Sequence, residues 1–139
     1  MEEATILIID DEQSYLDTIS KILQPKNYNI LQAINGKMGC IVAEKFLPDI
    51  IIVDWEMPEL NGIDTIKYLK SKPETQDIPI IMSTGIMTAV ENLETALNAG
   101  AVDFLRKPID AIELTARLNS MLKLARSYKE NLIQRKKLA

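Results

Sequence analysis

The chain has 139 residues, of which 47% are hydrophobic and 26% are charged, and these proportions suit one globular domain. Cys40 is its only cysteine, which excludes an internal disulfide, and we expect it to be a small buried residue of a helix. The sequence contains no histidine, which excludes histidine-based acid–base catalysis, histidine metal ligands and Ser-His-Asp triads.

Charge is divided unevenly along the chain. Residues 123–139 include six basic residues and one acid, so this segment carries +5 and the rest carries −9 of the net charge of −4. An acidic body is a poor nucleic-acid surface, and a short basic segment is usually a solvated helix face, so we expect no direct nucleic-acid contact. No apolar run reaches the length of a membrane span, and the N-terminus lacks the basic region of a signal peptide, so we expect a cytoplasmic chain that makes no membrane contact.

The hydrophobic pattern predicts strands and helices that alternate five times. In chain order the predicted elements are strand Thr5–Ile9, helix Ser14–Gln24, strand Tyr28–Ala33, helix Lys37–Phe46, strand Ile50–Val53, helix Ile63–Leu69, strand Ile78–Ser83, helix Ala89–Ala99, strand Val102–Leu105 and a last helix from about Asp110. Ser14 and Thr88 are predicted N-caps, Asn35–Gly36 is a predicted turn, and Gly100 is the predicted end of the fourth helix. This alternation predicts an α/β fold with a doubly wound, five-stranded parallel sheet.

Polar residues stand where four of the predicted strands end. Asp10 and Asp11 follow the first strand, and Asp54 follows the third. Thr84 follows the fourth strand, and Lys107 lies just beyond the fifth. Because parallel strands end at the same edge of a sheet, we expect these side chains to converge and to reach an open site. Three close carboxylates suit a hard cation such as Mg²⁺, and a lysine and a hydroxyl can bind anionic oxygens, so the set predicts phosphoryl transfer to a carboxylate. The plainer alternative is that the acids cap helices and that Lys107 pairs with one of them.

Four motifs in this order and spacing resemble a response-regulator receiver domain of two-component signalling, of the chemotaxis-regulator type. They are IIDDE at 8–12, VDWEMPELNG at 53–62, PIIMSTG at 79–85 and DFLRKP at 103–108. The resemblance covers about residues 4–122. It implies a flavodoxin-like (βα)5 fold with the strand order 2-1-3-4-5.

The resemblance also implies a role for each matching residue at the acidic centre. Asp54 matches the phosphoacceptor, Asp11 the direct Mg²⁺ ligand, and Asp10 the acid that acts mainly through metal-bound water. The main-chain carbonyl of Glu56 matches the third protein oxygen on the metal. Lys107 matches the residue that contacts the phosphoryl oxygens.

Four further positions match the switch and the phosphoryl cradle. Thr84 matches the switch hydroxyl and Phe104 the switch aromatic, while the backbone N–H groups of Trp55 and Gly85 match the cradle. The chain departs from the commonest pattern in that Gly85 replaces alanine, Phe104 replaces tyrosine, and Glu56 adds an acid beside the site. The smaller Gly85 should leave access to Asp54 open.

These features predict a phosphorylation switch and no enzyme beyond Mg²⁺-assisted self-phosphorylation and dephosphorylation. The donor would be a phosphohistidine of a histidine kinase or phosphotransfer protein, and the output surface would be helix four, strand five and helix five. One rival is a phosphatase-like enzyme with an Asp nucleophile, although such sites commonly have a second Asp where Glu56 stands. A flavin-binding module is disfavoured because Asp10, Asp11 and Glu12 would repel a phosphate. A receiver-like binding module that is never phosphorylated is the third rival.

The sequence from Ile109 to Ala139 contains no glycine or proline, and its composition favours one long helix. Apolar residues recur there at spacings of four and three, as in a heptad seam: Leu114, Leu118, Met121, Ala125, Tyr128 and Leu132. We expect the early members to pack on the sheet, which divides the chain into a receiver domain over 1–123 and a basic helical extension over 124–139. Two interpretations stay open, a parallel homodimer through this helix and a frayed basic tail.

Overall fold

The computed structural model describes the backbone of residues 4–85 and 90–138, and side chains among them other than those of residues 90, 91 and 128–138. The strands in this part of the chain are β1 (Thr5–Ile9), β2 (Asn29–Ala33), β3 (Ile50–Asp54), β4 (Ile80–Thr84) and β5 (Asp103–Arg106). The helices are α1 (Gln13–Leu23), α2 (Gly36–Phe46), α3 (Gly62–Lys70), α4 (Val90–Ala99) and α5 (Ala111–Leu138), with a 3-10 turn at Gln24–Lys26. The predicted alternation of strands and helices is confirmed.

The described strands form one parallel sheet in the order β2-β1-β3-β4-β5, which confirms the predicted flavodoxin-like topology. β3 lies at the centre, and all five of its residues are buried, as expected for an apolar strand covered on both faces. The register aligns the carboxyl ends of neighbouring strands, because Ile9 pairs with Val53 and Asp54 pairs with Ser83. The strand ends that carry the polar residues therefore meet at one edge.

Alternate residues of each strand point to opposite faces, and each face has its own hydrophobic layer. Leu7 and Ile51 point toward α2, α3 and α4, where the buried Cys40 also packs, as predicted. Ile8 and Ile52 point toward α1 and α5. Helices on both faces shield the sheet from solvent and leave the ends of its strands accessible for a site.

Several predicted helix ends can be compared with the structure. Ser14 is wrong as an N-cap, because α1 begins at Gln13 and Glu12 occupies the cap position. The Glu12 N–H is held instead by the Asp10 carboxylate at 2.9 Å, which fixes where the helix starts. Gly100 ends α4 with φ of 125°, as predicted for a glycine stop. The predicted cap Thr88 lies outside the described residues.

α5 is a single helix of 28 residues, about 42 Å long at 1.5 Å per residue. Its early seam members Leu114, Leu118 and Met121 are buried against the sheet, as expected. Leu124, about one turn further, is 70% exposed, whereas the next seam member, Ala125, is still partly buried. The side chains of the later seam members Tyr128 and Leu132 lie outside the described part, and the division at residue 123 stays a prediction. No helix among the described residues has the length and apolar character needed to cross a bilayer.

Candidate functional site

The predicted site residues converge at the carboxyl edge of the sheet. Asp10 follows β1, Asp54 ends β3 and Thr84 ends β4. Lys107 follows β5, and its backbone N–H donates to the Thr84 carbonyl at 2.8 Å. Asp54 and Lys107 line a pocket of about 270 Å³ at this edge, together with Gly85. The convergence expected from strand ends is confirmed for these side chains.

The Lys107 ammonium stands between two carboxylates. Its Nζ is 2.9 Å from Asp10 Oδ2 and 3.1 Å from Asp54 Oδ1, and only 8% of the lysine side chain is exposed. Burial of the ammonium lowers the pKa of Lys107, but attraction by Asp10 and Asp54 outweighs burial and the pKa is raised. Lys107 is therefore a fixed positive charge beside Asp54.

Asp54 is the most perturbed acid of the site. Its side chain is 2% exposed, and Oδ1 accepts no hydrogen bond from any described residue, although the Lys107 ammonium lies close by. The pKa of Asp54 is raised from 3.8 to about 7: burial contributes most, the charge of Asp10 adds to the rise, and Lys107 opposes it. A buried carboxylate oxygen without a hydrogen bond is poised to take another ligand.

Three carboxylates could share a cation at this edge. Oxygens of Asp10, Asp11 and Asp54 all lie within 4.8 Å of one another, with Asp11 exposed and the other two buried. Hard oxygen ligands next to open solvent suit Mg²⁺, which keeps several waters when it binds to proteins. The residues present therefore fit the metal that the sequence predicted, with the buried Oδ1 of Asp54 held 3.1 Å from the Lys107 ammonium and the Asp11 side chain exposed to solvent.

Thr84 is hydrogen-bonded to Glu56, the acid two residues beyond Asp54. Its hydroxyl donates to Oε1 of Glu56, and its side chain is fully buried. The expectation that Thr84 reaches an open site is therefore wrong, because the hydroxyl is turned toward Glu56. Lys107, by contrast, lines the pocket.

The two predicted cradle groups differ in their surroundings. The Trp55 N–H donates to the Ser83 carbonyl at 2.9 Å and so belongs to the sheet. Gly85 lines the pocket, and a Cβ added there would lie 3.6 Å from the Lys107 Cβ, an ordinary contact. The Trp55 ring packs edge to face against the Phe104 ring, with 6.3 Å between the ring centres. Trp55, the residue after Asp54, is therefore in contact with β5.

Two further residues shape the site, and neither was predicted from the sequence. The Lys107 ammonium lies 3.9 Å from the centre of the Tyr15 ring, which adds a cation–π contact. Gly62 donates its N–H to the Trp55 carbonyl at 2.9 Å, and a Cβ there would lie 2.8 Å from the Trp55 Cα. The sequence offered a signal for each of these residues. Tyr15 is an aromatic residue one helical turn after Asp11, and Gly62 ends the loop that follows Asp54.

Comparisons with known proteins agree with this geometry. A profile of the family described as "Response regulator receiver domain" matches residues 6–119. The phosphate regulon transcriptional regulatory protein PhoB of Pseudomonas aeruginosa is 38% identical over 119 residues, which are 86% of this chain and 52% of that protein. The DNA-binding dual master transcriptional regulator RpaA of Synechocystis sp. is 33% identical over 118 residues, 85% of this chain and 48% of that protein. The chain thus spans about half the length of these two curated relatives.

Solved structures give the same result. The chemotaxis protein CheY4 of Vibrio cholerae superposes with a TM-score of 0.82 at 28% identity, over 86% of this chain and 99% of that one. A response regulator from Desulfuromonas acetoxidans superposes with a TM-score of 0.79 at 32% identity, over 87% of this chain and 98% of that one. The residues matched by the family profile include Asp10, Asp54, Thr84 and Lys107, at the strand ends that form the acidic site. This chain belongs to the response regulator receiver domain family, whose members act in two-component signalling.

Proposed function

We propose that Asp54 accepts a phosphoryl group from a phosphohistidine of a histidine kinase or phosphotransfer protein. The observation that carries this proposal is the buried Oδ1 of Asp54, which has no hydrogen bond from a described residue and lies 3.1 Å from the Lys107 ammonium. These 139 residues contain no histidine, so the donor imidazole lies outside them. Receiver domains act generally as signalling switches, and the atom proposed to be modified here is a carboxylate oxygen of Asp54.

The transfer is a displacement at phosphorus. A carboxylate oxygen of Asp54 forms a new P–O bond while the P–N bond of the donor breaks, and the imidazole nitrogen keeps the electron pair. Lys107 orients Asp54 and offsets the negative charge of the incoming phosphoryl oxygens. Asp10, Asp11, Asp54 and the main-chain carbonyl of Glu56 would hold Mg²⁺, which when bound neutralises charge on the transferring group.

The switch would follow from competition for the Thr84 hydroxyl. In the unmodified chain this hydroxyl donates to Glu56, and phosphoryl oxygens on Asp54 would offer a second acceptor. When Thr84 turns, space opens next to Phe104, and the surface of α4, β5 and α5 changes. To convert a population of molecules that is almost entirely resting into one that is almost entirely active, phosphorylation must stabilise the active state over the resting state by roughly 5.5 kcal/mol.

The Glu56 contact also bears on the phosphatase-like alternative. Glu56 lines the same pocket as Asp54, but one of its carboxyl oxygens already accepts the Thr84 hydroxyl, which leaves the other oxygen for the proton of a general acid. Steady-state turnover of phosphate esters would support the alternative, and its absence would favour the switch.

The output partner is proposed to bind the α4–β5–α5 surface, which carries the ion pair of Arg117 with Asp103 at 2.8 Å.

The test is phosphorylation with Mg²⁺ and acetyl phosphate, read by intact mass. One acid-stable, base-labile phosphoryl adduct is expected, and it should disappear in Asp54→Asn or with a chelator. Asp64→Asn, at an acid in the first turn of α3, is the matched control and should keep the adduct. An equal yield in Asp54→Asn would overturn the assignment, and an adduct that chelator leaves unchanged would overturn the role of Mg²⁺.

A further inference from the structure

A second cavity, here called the basal groove, lies at the edge of the sheet opposite Asp54. Its volume is about 520 Å³, and it is lined by the segments that precede β3, β4 and β5 and by one turn of α5. Leu47, Val102 and Leu124 line it and are 53%, 52% and 70% exposed. Several solvent-exposed apolar side chains in one cavity indicate a docking surface.

The same groove carries negative charge. Asp49, Glu74 and Asp77 line it together with the apolar residues, and no lysine or arginine is among its described lining residues. An apolar floor with acidic side chains fits a basic amphipathic helix. The sequence of this chain supplies such a segment at 124–138, where Leu132 and Ile133 stand among basic residues.

The segment cannot reach the groove of its own molecule. α5 is continuous from Ala111 to Leu138, so the residues after Ala125 continue along the helix axis. Thirteen residues of helix carry Leu138 about 20 Å beyond Ala125. A groove beside Leu124 and Ala125 can therefore receive this segment only from another molecule.

We infer that two copies of this chain pair their α5 extensions antiparallel, so that the basic end of each helix lies in the basal groove of the other. Aligning Leu124 of one copy with Ile133 of the other sets Ala125 opposite Leu132. Lys136 and Lys137 then fall beside the turn of α5 that borders Glu74 and Asp77. The inference is independent of phosphoryl acceptance at Asp54.

Charge favours this arrangement over parallel pairing. A parallel pair would lay two segments of +5 side by side along their whole length, which is repulsive. An antiparallel pair brings each basic end to an acidic surface. Leu114 and Leu118 are buried in the chain's own core, as expected for the early seam members, so either pairing has to use the later part of the helix.

Cysteine cross-linking tests the register. In a Cys40→Ala background, Leu124→Cys and Ile133→Cys chains are mixed, equilibrated and oxidised with diamide. Disulfide between the two different variants is expected to exceed disulfide within either variant, because a disulfide needs Cβ atoms about 4 Å apart. Predominant Leu124→Cys pairs with themselves would overturn the antiparallel arrangement in favour of a parallel one.

Charge exchange tests the occupant of the groove. The full chain is expected to sediment as a dimer, and Glu74→Lys/Asp77→Lys or Lys136→Glu/Lys137→Glu should each weaken dimerisation about tenfold or more. An equimolar mixture of the two variants should recover association, because each of the two grooves of the mixed dimer then faces a helix end of opposite charge. Lys26→Glu, on the 3-10 turn, is the control and should dimerise normally. A monomeric full chain, or a mixture no tighter than its components, would overturn the proposal.

Discussion

The Thr84 hydroxyl donates a hydrogen bond to the Glu56 carboxylate across 28 positions of the sequence. Thr84 ends β4, and Glu56 follows β3 by two residues, so the bond joins neighbouring strand ends directly beside Asp54. Under the proposed switch, any phosphoryl oxygen on Asp54 must compete with Glu56 for this hydroxyl. The Glu56 carboxylate therefore stabilises the resting arrangement.

Removing this acceptor should shift the resting equilibrium. A hydrogen bond to a charged group contributes about 1.5–3 kcal/mol, so Glu56→Ala should raise the activated population roughly tenfold or more without any phosphoryl donor. The measurement is the NMR shift of the Phe104 and Arg106 amides relative to the beryllium fluoride complex. Glu56→Gln keeps an acceptor oxygen and should resemble the wild type, whereas identical resting spectra for both variants would contradict the role of Glu56.

The raised pKa of Asp54 predicts how stability depends on pH. Because this pKa is about 7 when folded and 3.8 ordinarily, the folded chain binds the proton more tightly. The free energy of unfolding should therefore fall as pH rises through this window. Asp54→Asn cannot ionise and should be more stable than the wild type above about pH 7, by at most roughly 4 kcal/mol. Urea unfolding in chelator at about pH 5 and pH 8 measures the difference, and equal pH slopes for both chains would refute it.

Mg²⁺ should oppose this loss of stability. A cation competes with the proton for the carboxylates, so Mg²⁺ should bind more tightly at about pH 8 than at about pH 6. Trp55 is the only tryptophan of the chain and adjoins Asp54, so its fluorescence can report binding. Asp54→Asn should lose most of the pH dependence, and a wild-type affinity that does not vary with pH would contradict the shared site.

Lys107 should be needed for stability when Mg²⁺ is absent. Lys107→Ala leaves Asp10 and Asp54 buried without their cation, which should lower the free energy of unfolding by about 3–5 kcal/mol. Mg²⁺ should restore more stability to this variant than to the wild type. Lys72→Ala is the matched control, because Lys72 also lies over an aromatic ring, that of Tyr68, but at the surface. A similar loss of unfolding free energy in both variants would mean that Lys107 does not specifically stabilise the buried carboxylates of Asp10 and Asp54.

Two glycines beside the site should differ in their tolerance of alanine. At Gly62 an added Cβ would lie 2.8 Å from the Trp55 Cα, whereas at Gly85 the nearest atom, the Lys107 Cβ, would be 3.6 Å away. Gly62→Ala should therefore destabilise the chain by about 1–3 kcal/mol and slow phosphorylation, because the loop after Asp54 must shift. Gly85→Ala should fold normally and is the control for stability only, because Gly85 itself lines the pocket at Asp54. Unfolding and acetyl phosphate kinetics on both variants make the comparison, and a Gly62→Ala chain as stable as Gly85→Ala would contradict it.

Sequence patterns were sufficient for the architecture and for the polar residues at the strand ends, but not for Tyr15 and Gly62, which also shape the site. The uninterrupted apolar run Ile50–Val53 can only be satisfied by a strand covered on both faces, and the polar residue after it then has to lie at the sheet edge. The same reasoning placed Asp10, Thr84 and Lys107. These are consequences of local composition and of the parallel direction of the strands, and both can be read along the chain.

The tertiary structure alone decided which atoms meet. Local capping preference selected Ser14, but α1 begins at Gln13 because the Asp10 carboxylate holds the Glu12 N–H. The Thr84 hydroxyl could have faced the pocket, yet it is bonded to Glu56, and the Lys107 ammonium is held over the Tyr15 ring. The exposed position of Leu124 depends on where the sheet ends beneath α5. The contacts of Thr84 with Glu56 and of Lys107 with Tyr15 join residues far apart in sequence, for which periodicity and propensity carry no signal. The bond between Asp10 and Glu12 is local, but capping preference alone does not rank it above a cap at Ser14.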